Sequence, residues 1–376
     1  MELAALLALT MLGISASLIA DNDDDDDDDD DSDTGGGTDG GDGTDTGDGS
    51  DGGDGTDTGG GTDGGADDGV ITSEGVTYGS ESGDTLTATS AADTVVGAGG
   101  DDEITGNTDD NILDGQEGDD SVLGGDGSDQ VFGSEGNDFA DGNSGDDLVA
   151  GGTGDDDLYG GTGNDSVFGD AGNDRVDGQE GNDQVLGGDG DDSLFGGSGD
   201  DTLFGNDGDD SILDGGGDDS LIGGAGADTL DGGTGNDQLF GIYDGNDDDL
   251  IEAQDLLDPD VLLGGEGSVD IQMGSGDMAM GEQGSDIFYT GTWVDPDNAP
   301  MIVDLESDEV VIVSVPVGTS GATDITLETD ADSGDTLVQA NGQTVAVVAA
   351  SAGPVSADQI LVVESISIVP DAATAA

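Results

Sequence analysis

Residues 160–195 read GGTGNDSVF GDAGNDRVD GQEGNDQVL GGDGDDSLF when cut into nines. Each block has Gly first, Gly fourth, Asp sixth and an aliphatic residue eighth. From Gly79 the same frame holds for eighteen consecutive blocks, the last being Gly232–Phe240. Asp stands sixth in seventeen of them, from Asp84 to Asp237, with Asn111 the exception, and the eighth place is apolar in all eighteen. Gly is first in sixteen blocks and fourth in fifteen. A frame kept over 162 residues marks a repeat architecture.

The three residues around the eighth place, such as SVF or QVL, suffice for one short strand, its middle side chain on one face and its neighbours on the other. The six residues before them are turn material, because Gly accepts positive φ and admits a close backbone approach. Two blocks make an 18-residue coil, so 79–240 predicts an all-β parallel solenoid of about nine coils with every eighth-place aliphatic inward. No coil buries its apolar pair alone; the core exists only in the stack. One aliphatic per nine residues is little against the entropy of ordering nine backbones. The Asp columns also bring like charges together, so the array is predicted to be unfolded without a ligand. A hard divalent cation answers both problems. Ca²⁺ takes about six to eight oxygens, carboxylate and carbonyl alike, whereas Mg²⁺ demands tighter octahedral geometry and retains water. Asp or Asn at the fifth place of fourteen blocks predicts turn bonding or contacts behind the ion.

Composition narrows the function classes. The formal charge is −91, with Arg175 the one basic residue. Phosphate neutralisation needs Lys and Arg, so nucleic acids and anionic membrane surfaces are excluded as partners. Without His or Cys there is no Ser-His-Asp or Cys-His nucleophile and no thiolate or imidazole zinc site. Without Lys there is no Schiff base. Carboxylate-pair chemistry is the one common catalytic route left, and no segment has room for a catalytic domain. The chain is expected not to be an enzyme. Without disulfides, metal is the expected source of extracellular stability.

Around the array the chain changes character. Residues 1–20 contain the apolar run LAALLALTMLGISASLIA (3–20), read as a hydrophobic anchor or signal segment. Residues 21–78 begin with nine successive Asp (Asp23–Asp31) and continue as a Gly/Asp/Thr tract with nothing to bury, a self-repelling disordered linker. The frame breaks at 241–260 and returns in pieces through 289, as in Gly281–Tyr289, GEQGSDIFY. Residues 290–376 carry strand-like runs such as EVVIVSVPV and ILVVESISIV, and Asn341-Gly342 between two such runs signals a hairpin. They predict a small β-rich C-terminal module.

The motif GGxGxDxUx resembles the nonapeptide of the RTX (repeats-in-toxin), haemolysin-type calcium-binding family. The resemblance is specific over 79–240 and weak over 264–289. It implies a parallel β-roll with multiple Ca²⁺ held between successive turns and the sixth-place Asp as side-chain ligand. Carried over residue by residue, the metal ligands are Asp102, Asp120, Asp129, Asp138, Asp147, Asp156, Asp165, Asp174, Asp183, Asp192, Asp201, Asp210, Asp219, Asp228 and Asp237. Blocks one and two have Ser82 and Ala91 at the fourth place and block four has Asp109 with Asn111, so those turns are expected to be weak or vacant caps. The resemblance also implies type I secretion machinery as a partner, reading an uncleaved C-terminal signal, which the end PDAATAA suits. The apolar N-terminal segment departs from that pattern.

The ninth place should face solvent, yet alternate blocks give Val96, Asp114, Phe132, Ala150, Phe168, Leu186, Phe204, Ile222 and Phe240. An apolar row on so acidic a protein is expected to pack against the C-terminal module or a second copy of the roll. An ice-binding solenoid needs an ordered Thr/Asn row, and Thr third with Asn fifth occurs only at Thr162/Asn164 and Thr234/Asn236. The expected function is that of a secreted or surface-associated calcium-binding protein, structural in role, that folds on Ca²⁺ outside the cell. The alternative is a calcium-rigidified adhesin or spacer anchored through residues 3–20.

Overall fold

The computed structural model describes residues 71–73, 75–89, 93–241, 259–291, 294–316 and 323–365. The apolar segment 3–20, the acidic tract to residue 70 and the terminal PDAATAA lie outside the described residues.

Alternate blocks fall on opposite sides, as their period requires. They build two sheets of fifteen strands each, parallel from coil to coil. Val149, Val167 and Val185 stand side by side in one sheet; Leu158, Val176 and Leu194 do so in the other. The eighth-place side chains from Val95 to Leu239 meet between the sheets and are at most 1% exposed. This single row from each sheet is the core of the array.

The paired stretch is longer than the three residues expected. Strand Ser166–Ala171 takes the last three places of one block and the first three of the next, leaving a three-residue corner, Gly163-Asn164-Asp165. Two glycines permit this. A Cβ on first-place Gly160 would stand 2.7 Å from Asp165 Oδ2 and 2.8 Å from Gly178 O, so only glycine lets successive coils approach. Fourth-place Gly163 turns the corner at φ +141, where a Cβ would lie 1.6 Å from Gly145 O.

The sheets do not stop at Phe240. Val261–Leu263 pairs with Thr229–Thr234, and Asp270–Gln272 with Gln238–Phe240. The separation between hydrogen-bonded neighbours is 18 in the array, 32 across the break and then 17, so the frame is lost from the sequence while the ladder continues. The C-terminal region extends the same sheets. Val310–Pro316 joins Ile287–Gly291 and then Ile360–Ser365, while Gln343–Val348 continues the other sheet from Met301–Ile302.

Both ends depart from parallel pairing. Asn341 (φ 55) and Gly342 (φ 83) form the expected hairpin turn between Thr336–Ala340 and Gln343–Val348, and Ile325–Thr329 completes an antiparallel ribbon that ends one sheet. At the opposite end Ile71–Ser73 pairs antiparallel with Val76–Tyr78. The expected linker 21–78 therefore closes with structured residues: a short hairpin around Gly75, at φ +84, ends one of the two sheets.

On the outer face of one sheet Phe132, Ala150, Phe168, Leu186, Phe204, Ile222 and Phe240 are neighbours from strand to strand. The C-terminal strands join the sheets edge to edge, not face to face across this row. On the other sheet the Arg175 guanidinium lies 4.4 Å from the Phe195 ring centre and 5.2 Å from that of Tyr159, with Nη2 3.1 Å from Asp177 Oδ2.

Leu203 is fully buried, and Leu203→Ala is expected to lower the unfolding free energy by about 2–5 kcal/mol in denaturant titrations of the folded protein. Gly163→Ala is expected to destabilise visibly as well, for backbone reasons; an unchanged midpoint would contradict the close approach of Gly145 O.

Candidate metal centre: two columns of buried carboxylates

Each sixth-place residue sits at the corner that precedes a strand, and the coil period stacks these corners in two columns. Within a column each carboxylate reaches one coil back. Asp165 Oδ1 accepts the Asp147 N–H at 2.8 Å, and Asp183 Oδ1 accepts that of Asp165 at 2.8 Å. On the other side Asp174 Oδ1 accepts from Asp156 and Asp192 Oδ1 from Asp174, both at 2.8 Å. The fifth place makes the reverse connection in solvent. Asp146 Oδ1 accepts the Asn164 N–H at 2.8 Å, and Asn164 Oδ1 accepts that of Asn182 at 3.0 Å. A neutral amide serves there because only an acceptor is needed.

All fifteen sixth-place aspartates from Asp102 to Asp237 are brought into the columns and are at most 4% exposed. The second oxygen is the anomaly. Oδ2 of Asp102, Asp120, Asp129, Asp138, Asp147, Asp156, Asp165, Asp174, Asp183, Asp192, Asp201, Asp210, Asp219 and Asp237 is buried with no hydrogen-bond partner. Asp228 is equally buried, and its Oδ1 accepts the Asp210 N–H at 2.8 Å. A buried acceptor without a donor carries its full desolvation cost, and here that cost recurs at nearly every turn.

These oxygens converge with others. Above Gly160, Gly169 and Gly178, in the space a Cβ would fill, lie both the Oδ2 of the same block and the first-place carbonyl oxygen of the next coil, each within 2.8 Å of the Cβ position. The donor set is oxygen alone, carboxylate and carbonyl, and repeats once per turn. That is the ligand chemistry of Ca²⁺.

Burial is the main cause of high carboxyl pKa values along the columns, reinforced by carboxylates of adjacent turns and opposed by the backbone N–H bond. It pushes Asp156 up to about 8. Asp120, Asp147, Asp183, Asp192 and Asp210 rise to about 7. Asp138, Asp165, Asp174, Asp201 and Asp237 rise to about 6, and Asp102 and Asp129 are also raised.

The N-terminal turns differ in kind. Asp84 Oδ2 accepts the Ser80 N–H at 2.7 Å and its hydroxyl at 2.9 Å, Asp93 Oδ2 accepts the Thr89 N–H at 2.6 Å, and Asn111 contributes an amide whose nitrogen is buried without a partner. Past Phe240, Asp260, Asp277, Asp286 and Glu309 occupy corner positions that sequence reasoning did not select. Asp260 Oδ1 accepts from Asp228, Asp277 Oδ1 from Asp260, and Asp286 Oδ1 from Val269. Asp286 was legible as sixth in GEQGSDIFY; the others carry no local signal because their register is set by the ladder. Asp214, also buried, was signalled only by its place as one of two blocks without a first-place glycine.

A carboxyl with a raised pKa binds its proton more tightly in the folded chain than in the unfolded one, so protons favour the fold. In chelator the β content is expected to be greatest near pH 4 and to fall as pH rises through 6–8, the range of the raised values. Saturating calcium is expected to abolish that loss. Circular dichroism across this range reads both arms, and a chelated chain that gains β structure with rising pH would contradict the assignment.

The repeats of the array match a known repeat family. The RTX calcium-binding nonapeptide repeat family matches residues 78–113, 105–140, 141–176, 150–185, 168–203, 177–212 and 204–239. No curated protein matches the chain. Among solved structures, a hyperactive, Ca²⁺-dependent, β-helical antifreeze protein from an Antarctic bacterium is similar at 19% identity, over 63% of this chain and 86% of that chain, with a TM-score of 0.27. Residues 78–239 carry RTX calcium-binding nonapeptide repeats, folded as an all-β roll whose buried aspartate columns provide for multiple Ca²⁺ ions.

Proposed function

We propose that this is an exported structural protein whose roll assembles outside the cell when Ca²⁺ fills the two columns, with the sixth-place aspartates from Asp102 to Asp237 as side-chain ligands. The observation that carries the reading is the run of buried Oδ2 atoms without partners. Coulomb repulsion between successive carboxylates opposes the stack, and a cation between them reverses the sign of that interaction. Extracellular calcium modules work at about 10⁻⁴–10⁻³ M Ca²⁺. A chain tuned to that range stays unfolded inside the cell and folds after export, so transport and folding do not compete. Export by type I secretion machinery through the C-terminal end belongs to the same proposal.

The test is far-UV circular dichroism of the full chain during a Ca²⁺ titration, with Mg²⁺ as control. The expected result is a cooperative coil-to-β transition at sub-millimolar to millimolar Ca²⁺ that Mg²⁺ does not produce. Full β signal in chelator at neutral pH would overturn the calcium-gated reading. Asp165→Asn is expected to shift the midpoint to higher Ca²⁺, whereas Asp146→Asn, at an exposed corner, is expected to leave it nearly unchanged. Fractionation decides the setting: protein in the medium supports secretion, and an intact N-terminus in membranes supports the anchored spacer.

The apolar row favours one addition, self-association through this face. Phe132→Ser with Phe168→Ser is expected to lower the sedimenting mass of the calcium-loaded protein; an unchanged oligomeric state removes this addition alone.

A further inference from the structure

One rung breaks the plan of the array. At the first place, glycine in sixteen of eighteen blocks, the block 214–222 has Asp214. Asp214 is 3% exposed, and neither of its carboxylate oxygens has a hydrogen-bond partner. Its side chain turns inward across the gap between coils. A Cβ on Gly196, first-place residue of the preceding coil, would stand 1.8 Å from Asp214 Oδ1 and 2.8 Å from Asp201 Oδ2. One coil earlier the equivalent space holds a backbone carbonyl: Gly196 O lies 2.8 Å from the Cβ position of Gly178. Asp214 thus brings a carboxyl oxygen into the space where the preceding coil has a backbone carbonyl.

The flanking residues complete a cluster. Asp201 and Asp219 are consecutive members of one column, joined by the Asp201 N–H to Asp219 Oδ1 bond at 2.7 Å. Each is 2% exposed, with Oδ2 lacking a partner. One oxygen from each of Asp201, Asp214 and Asp219 lies within 4.8 Å of the other two, and among the described residues this is the one group of three acidic side chains to meet so closely.

We propose that Asp201, Asp214 and Asp219 form a three-carboxylate site for a hard cation, distinct from the other turns in affinity and charge preference, which fills while those turns are still empty. The proposal rests on the reading that the columns bind Ca²⁺. Affinity in oxygen-ligand sites rises with the charge of the ligand set. A third carboxylate adds one negative charge at a bound ion, and the added attraction scales with the charge of the cation. A trivalent lanthanide therefore gains more from Asp214 than Ca²⁺ does. The outward ion-pair chemistry of the roll does not compete for the site, because all three carboxylates are interior.

The experiment is a chelator-competition calcium titration of the full chain, wild type against Asp214→Gly and Asp214→Asn, followed by displacement with La³⁺. Asp214→Gly restores the first-place residue of the other blocks, and Asp214→Asn keeps the shape without the charge. Wild type is expected to bind one ion about tenfold or more tighter than the rest, and La³⁺ to displace that ion first. Both variants are expected to lose the tight class while the remaining ions keep their affinities. If wild type shows no tight class, or Asp214→Asn retains it, the proposal is overturned and the calcium columns stand. If none of the three chains binds calcium, this site and the proposed function fall together. Circular dichroism at saturating Ca²⁺ checks folding, and Asp214→Asn decides should Asp214→Gly not fold.

Discussion

The structure depends on what happens to one oxygen atom, the Oδ2 of the sixth-place aspartate. Its sister Oδ1 is spent on the N–H of the preceding coil, a bond of 2.7–2.8 Å between Asp138, Asp156 and Asp174 along one column. The Oδ2 is turned into the corner, buried and without a donor. A carboxylate in that position must bind either a proton or a metal ion. The raised pKa values express the first choice and the oxygen-only surroundings of the corner permit the second. Calcium binding and low pH are therefore two solutions to one electrostatic problem.

The hydrophobic part of the fold is secondary in this sense. Each coil adds only two buried aliphatics, such as Val167 and Val176, which gain shelter only when the coils above and below are present. Stability in such a stack is a sum of weak units and neighbour terms. The partnerless Oδ2 atoms lie where the neighbour terms are set, between turns, so a cation held there would couple each coil to the next. One edge of each sheet ends antiparallel, at Ile71–Ser73 in one and at the Ile325–Val348 ribbon in the other, while Ile360–Ser365 and Thr85–Thr87 end the remaining edges in parallel pairing.

The array and the C-terminal region differ in how they keep the same ladder. In the array every residue has a place in a nine-residue frame. Beyond Phe240 spacings of 17 and 32 residues still deliver an acidic side chain to the corner, as at Asp260 and Asp277. There further apolar side chains are buried, among them Phe288, Val311, Val313 and Val345. The fold thus passes from an interior flanked by buried carboxylates to a more apolar one without interrupting either sheet.

Most of the array and its carboxylates were legible in the residues 160–195, because each nine-residue block does one local job and repeats it. Glycine at the first and fourth places, Asp at the sixth and an aliphatic at the eighth specify close coils, an acidic corner and an inward row without reference to distant residues. What the local frame could not show was decided by pairing across the stack. The longer strand arises because coils without Cβ atoms at Gly160 pair over the following residues too. The rungs at Asp260, Asp277 and Glu309 have no frame of their own and take their register from the coil beneath. Asp214 reads in the sequence as one missing glycine; only the stacked coils turn it inward between Asp201 and Asp219. The sequence by itself determined the repeat, the acid and the cation class, while the tertiary structure decided where the ladder ends and which turn carries a third carboxylate, because register between coils is a non-local property.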